Sequence, residues 1–70
     1  MNAQTILEWL HRRPFEPFVL RLSNGDAFQV RHPEVLAIGK NRLAIYDPET
    51  DRFSHVALIH VNSIESLQAA

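Results

Sequence analysis

The sequence predicts a mainly β fold: one N-terminal α-helix followed by a small, strongly bent, five-stranded antiparallel barrel. Three observations carry this. Apolar residues recur at helical spacing in the first segment, at Ala3, Ile6, Leu7 and Leu10. From Phe18 onward they alternate instead, as in strands that bury one face. The alternating runs are short and punctuated by Gly, Asn, Asp and Pro, which is the habit of small closed antiparallel architectures.

The helix is expected over about 3–12 of the single 1–70 domain. Asn2 can cap it, Thr5 and Glu8 offer a second capping-box start, and Trp9 widens the apolar stripe. Pro14 biases Arg13 away from helical dihedrals, so the helix stops near Arg12. A helix this short is not stable alone and must dock its stripe. Arg12 and Arg13 then sit where a helix C-terminus favours positive charge. Phe15 and Phe18, spaced through Pro14 and Pro17, read with Trp9 as a hydrophobic joint between helix and barrel.

The barrel is expected over about 17–67. For the first hairpin, register decides the loop length. A two-residue Asn24-Gly25 loop would set Leu20 against Gln29 and split the apolar faces. A three-residue loop with Gly25 left-handed sets Leu20 against Phe28 and Phe18 against Val30. Pro33 then breaks the chain, since it cannot donate into a central ladder. Val35–Ile38 and Leu43–Tyr46 pair with Ile38 against Leu43 and Leu36 against Ile45. Asp47-Pro48-Glu49-Thr50-Asp51 is a polar turn. Phe53 to Val61 reads as one longer strand, and Ile64 to Leu67 as a last short element. The expected core is Leu20, Leu22, Phe28, Val30, Ile38, Leu43, Ile45 and Ile64, closed at one end by Ile6 and Leu10.

Composition limits the function. With 46% hydrophobic and 21% charged residues over 70 positions, the chain has the balance of a soluble globular domain. It has no cysteine, hence no disulfide, thiolate metal site or cysteine nucleophile. No apolar run exceeds four residues, against the roughly 20 needed to span a bilayer. The charges of MNAQTILEWLHRR follow its apolar residues, the reverse of a secretory signal, so a cytoplasmic protein without a membrane partner is expected. Net charge is −1, which gives no global attraction for a polyanion. Its distribution is uneven: residues 1–45 carry +2 and residues 46–70 carry −3, with Asp47, Glu49 and Asp51 in one turn.

No residue pattern points to catalysis, a metal or a cofactor. His55 and His60 are five apart, which on a continuous strand sends them to opposite faces. His11 is on the helix, and His32 precedes a proline, where its ring can brace a bend. Ser54, His55 and Asp51 supply triad chemistry by name, yet no glycine-rich nucleophile turn accompanies them. A barrel this small is filled by its own side chains.

The string RRPFEPFVLRLSNGDAFQVRHPE, with the closing LIHVNSIESL, resembles a group of short bacterial proteins of unassigned function. Their pattern is Arg-x-Pro-Phe-x-Pro-Phe-x-Leu, Asn/Asp-Gly, Val-x-His-Pro and a terminal Ile-Glu-x-Leu. A second resemblance is to the Sm-like family of Sm, Lsm and Hfq proteins. Leu20-x-Leu22-x-x-Gly25 is similar to the opening of their first motif, and Asn41-Arg42-Leu43-Ala44-Ile45 lies near its Met-Asn loop. Ile59-His60-Val61-Asn62-Ser63-Ile64 is similar to their second motif, with Val61 in place of the glycine beside the nucleotide pocket. The resemblance implies a helix on a five-stranded bent barrel, ring assembly through the edges of the last two strands, and RNA contacts at Asn41, Arg42, His60 and Asn62.

The expected function is therefore a non-catalytic, self-associating module acting as an adaptor or scaffold, with an RNA-binding ring as the alternative. The expected partner is a second copy of the chain. The strand Phe53–Val61 is apolar on both faces near its end, with Val56 and Leu58 on one face and Ala57, Ile59 and Val61 on the other. Val56 and Leu58 are the residues expected to meet the neighbouring copy.

Overall fold

The computed structural model describes residues 1–67, so the last three positions of the expected 1–70 domain lie outside the described residues. The helix α1 spans Ala3–Leu10, two residues shorter at its end than the sequence suggests. Asn2 starts it: the backbone N–H and the hydroxyl of Thr5 both donate to Asn2 Oδ1 at 2.9 Å. That satisfies one of the free donors every helix start carries. Ile6 is fully buried and anchors the helix in the core, against β3 (Leu36–Ile38).

The joint between helix and sheet is aromatic. Phe18 is completely buried, with its ring 5.8 Å from that of Trp9 and 5.9 Å from that of Phe15. Arg12 lies beyond the last helical turn, which holds no basic residue, so the expected pairing of Arg12 and Arg13 with the helix end is corrected. The Arg12 guanidinium lies 3.8 Å over the Trp9 ring and 3.3 Å from Glu16.

Among the described residues six strands follow, in two three-stranded antiparallel sheets. The first sheet has β1 (Phe18–Leu22) at its centre, between β2 (Ala27–Val30) and β6 (Val61–Ser66). The second has β4 (Arg42–Asp47) between β3 and β5 (Arg52–Ala57). Neither sheet closes on itself, so the expected five-stranded barrel is corrected to a pair of open sheets around a shared core.

Two breaks cause the difference. After Val30 the chain runs through Arg31 and His32 into a 3-10 turn at Pro33–Val35, and β2 and β3 fall in different sheets. Pro33 has no N–H to carry a ladder across that point. The bend is held by the backbone, Val35 N–H donating to the His32 carbonyl at 3.3 Å, and not by the histidine ring. The second break divides the expected strand Phe53–Val61. A 3-10 turn at Leu58–His60 separates β5 from β6 and hands the chain to the other sheet.

Within the sheets the registers are those the hydrophobic pattern dictates. Phe18 pairs with Val30 and Leu20 with Phe28, around a three-residue loop in which Gly25 has φ +93°. Leu36 pairs with Ile45 and Ile38 with Leu43. The core contains Ile6, Leu20, Leu22, Val30, Leu43 and Ile45 as expected, and adds Phe18, Leu36, Val56, Leu58 and Val61. Phe28, Ile38, Ile64 and Leu10 are only partly buried against it, a correction to the expected depth of those positions.

Candidate functional site

The turn Leu58–His60 is the point where distant parts of the chain converge. Leu58 N–H donates to the Asn41 carbonyl at 2.9 Å, and Ser23 N–H donates to the His60 carbonyl at 2.8 Å. The Met1 amino nitrogen donates to the Leu58 carbonyl at 3.0 Å. His60 Nδ1 and the Ser23 hydroxyl are 3.3 Å apart. The β1–β2 loop, the β3–β4 turn and the chain start thus supply the partners that a turn between two sheets lacks.

Two grooves flank this junction. One, of about 630 Å³, is lined by Lys40, Asn41, Arg42, His55, Ala57 and Ile59, together with Met1, Asn2, Ala3, Val56 and Leu58. It has no acidic side chain in its lining. Lys40 and Asn41 form the tip of the β3–β4 turn, which closes through Gly39 N–H to the Arg42 carbonyl at 2.8 Å. The other, of about 320 Å³, is lined by Leu22, Ser23, Asn24, His55, Val56, Ala57 and His60.

These placements sort the expected RNA contacts. Asn41 and Arg42 share the larger groove, and His60 lines the adjoining one. Asn62 lines neither groove; it falls at the register shift of the β1–β6 ladder, between the pairs Leu22–Val61 and Arg21–Ser63. Lys40, His55 and Ile59 also line the larger groove and are not among the expected RNA contacts, although Ile59 opens the string similar to the second Sm motif. Turn position marks Lys40, whereas nothing local in the sequence places His55 in this groove. His55 and His60 line the same groove, contrary to their expected opposite faces, because the strand that was to alternate them ends at Ala57. Among the described residues no group of three or more His, Cys, Asp or Glu side chains could hold a metal.

Val56 and Leu58 are 9% and 4% exposed and belong to the internal core. The expectation that they meet a neighbouring copy is corrected: their apolar character is used inside the chain. Among the described residues the exposed large apolar side chains are instead Phe53 and Ile59.

A third cleft, of about 310 Å³, opens between β2 and the β4–β5 hairpin, with Phe28, Val35 and Ile45 in its lining and Ser54 beside Tyr46. Ser54 lines this cleft while His55 lines the grooves around Leu58–His60. Asp51 accepts the Tyr46 hydroxyl at 3.0 Å. The Ser54, His55 and Asp51 trio is therefore dispersed. That hydrogen bond to Asp51, with some desolvation and the nearby Asp47 charge, raises the Tyr46 phenol above its ordinary range.

No family model, curated protein or solved structure matches the chain.

Proposed function

We propose that the protein is a non-catalytic, self-associating β module that serves as an adaptor or scaffold in the cytoplasm. One observation carries this reading. Among the described residues β5 is an outer strand, paired to β4 alone, and it presents Phe53 at 67% exposure. An open strand edge is a template for another chain, and proteins that stay single guard such edges with lysine or proline. Arg52–Ala57 contains neither, and its one charged side chain, Arg52, stands at the first position of the strand. The small size points the same way, since a core of this order supplies only about 3–5 kcal/mol without a disulfide, a metal or a partner. Among the described residues no helix is long and apolar enough to cross a membrane, and the reading assigns no membrane partner.

Sedimentation velocity over a range of concentrations tests it. The expected result is a concentration-dependent oligomer, shifted towards a folded monomer by Phe53→Glu. A parent protein that stays monomeric at high micromolar concentration overturns the reading.

A second reading, binding of single-stranded RNA, is favoured by the larger groove, where Lys40, Asn41, Arg42 and His55 meet without a carboxylate. Guanidinium and ammonium groups suit phosphates, and amides and imidazoles suit unstacked bases. Arg42→Ala should weaken the binding of a labelled U-rich or A-rich oligomer and lower its salt slope by about one. A folded protein with no saturable binding at physiological salt disposes of it.

A further inference from the structure

Phe53 and Ile59 are the two large apolar residues exposed among those described, at 67% and 82%. They stand at opposite ends of β5: Phe53 is its second residue, and Ile59 lies two positions past its last. Charge divides along the same axis. Beside Phe53 is the turn that carries Asp47, Glu49 and Asp51, a net −2 with Arg52 counted. Beside Ile59 is the groove that holds Lys40 and Arg42. Arg42 and Asp47 are the two ends of β4, about 17 Å apart at the rise of an extended strand.

We propose that the acidic turn of one copy seats in the basic groove of the next, with Phe53 of the first against Ile59 of the second. This rests on the self-association reading, and it places the contact at the two ends of β5 rather than along its edge. Copies join head to tail, so the contact is heterologous and builds a closed ring or an open chain according to its rotation.

The turn is built to be presented. Glu49 N–H donates to Asp47 Oδ1 at 3.0 Å, and Asp51 N–H donates to the Asp47 carbonyl at 2.8 Å. Asp51 sits at φ +56°, and its carboxylate is fixed by the Tyr46 hydroxyl. A turn held in one shape loses little freedom on docking. Arg31, on the cleft beside it, is turned to the Gln29 side chain at 3.0 Å. Opposite charges at the two ends steer the encounter and disfavour a like-ended one.

Charge reversal tests this. The double variants Lys40→Glu/Arg42→Glu and Glu49→Lys/Thr50→Lys alter exposed positions and keep the Asp47 and Asp51 side chains that frame the turn, and circular dichroism checks that each is folded. Each alone is expected to be monomeric where the parent assembles, and an equimolar mixture is expected to restore assembly, because each supplies an end complementary to the other. With the unaltered protein, the association constant is expected to fall about tenfold or more between low and high salt. A mixture that stays monomeric beside an assembling parent overturns the proposal, as does a parent oligomer indifferent to salt. An acidic-turn variant that assembles like the parent also overturns it, and is the result expected if the groove is reserved for nucleic acid. A parent that never assembles is a different outcome and removes the self-association reading itself.

Discussion

The backbone N–H of Leu58 donates to the carbonyl of Asn41 at 2.9 Å, tying the β3–β4 turn to the point where the chain leaves one sheet for the other. The amide of a residue 4% exposed, at a strand end, would otherwise have no ladder partner. The same turn receives Ser23 N–H on the His60 carbonyl and the Met1 nitrogen on the Leu58 carbonyl. The two sheets are thus joined by packing and by this knot of backbone bonds.

Gly25 is expected to be the more demanding of the two glycines. Its φ of +93° is a conformation side chains rarely adopt, although a Cβ there would meet nothing within 4 Å. Gly25→Ala should therefore cost about 1–2 kcal/mol through backbone strain alone, and Gly25→Asn less. Gly39 lacks a positive φ, and a Cβ there would lie 3.2 Å from the Arg42 carbonyl, which would have to give by a few tenths of an ångström. Urea midpoints of Gly25→Ala, Gly25→Asn and Gly39→Ala check the order. A Gly25→Ala protein as stable as its parent would remove the left-handed turn that sets the first hairpin's register.

Tyr46 is the chain's one tyrosine, so its ultraviolet titration reports on a single group. It is expected to ionise above its ordinary value of 10.0, because the neutral phenol is the form that donates to the Asp51 carboxylate. The folded chain then holds this proton more tightly than the unfolded one. The associated stabilisation is complete below the unfolded value and is lost as pH rises through the raised folded value. Asp51→Asn, which keeps a residue tolerant of φ +56°, should bring the midpoint back towards 10.0. A midpoint unmoved by that change would mean that Asp51 is not the partner in solution.

Local pattern made the hairpins legible. The choice of a three-residue loop over Asn24-Gly25 followed from keeping Leu20 and Phe28 on one face, and the observed ladder pairs those residues. Closure was not legible. Alternation says which face a residue occupies but not where a strand stops. The run Val56-Ala57-Leu58-Ile59 is a strand with two apolar faces or a strand entering a turn, and periodicity cannot separate them. The turn at Leu58 also brings His55 and His60 to one groove and puts Val56 and Leu58 in the core. Depth was also hidden: Phe28 has the right partner yet lines a cleft, whereas Phe18 is enclosed by Trp9 and Phe15.

That contrast gives a stability prediction. Phe18→Ala empties a fully enclosed site and should cost about 3–5 kcal/mol, most of what a domain of this size has. Phe28→Ala leaves a position already open to solvent on one side and should cost clearly less. Denaturant unfolding at one protein concentration measures both, and equal losses would place the aromatic joint elsewhere.

Leu58 and Ile59 are adjacent, similar in size, and 4% and 82% exposed. Side-chain chemistry alone cannot distinguish them, so substitution separates burial from assembly. Leu58→Ala removes buried methyl groups from the core and should cost about 2–5 kcal/mol, leaving a cavity that the two sheets cannot fully close. Any loss of assembly in that variant is expected to follow from unfolding, and the two should track each other as temperature rises. Ile59→Ser removes a side chain that rests mostly in water, and its monomer should unfold within about 0.5 kcal/mol of the parent's. If Ile59 faces a neighbouring copy, the oligomer should nonetheless weaken. Thermal melts at two concentrations resolve the pair: the Leu58→Ala melt is low at both, and the Ile59→Ser melt loses the concentration dependence of the parent. Equal destabilisation by the two changes at low concentration would mean that the turn is wound the other way, with Ile59 inside.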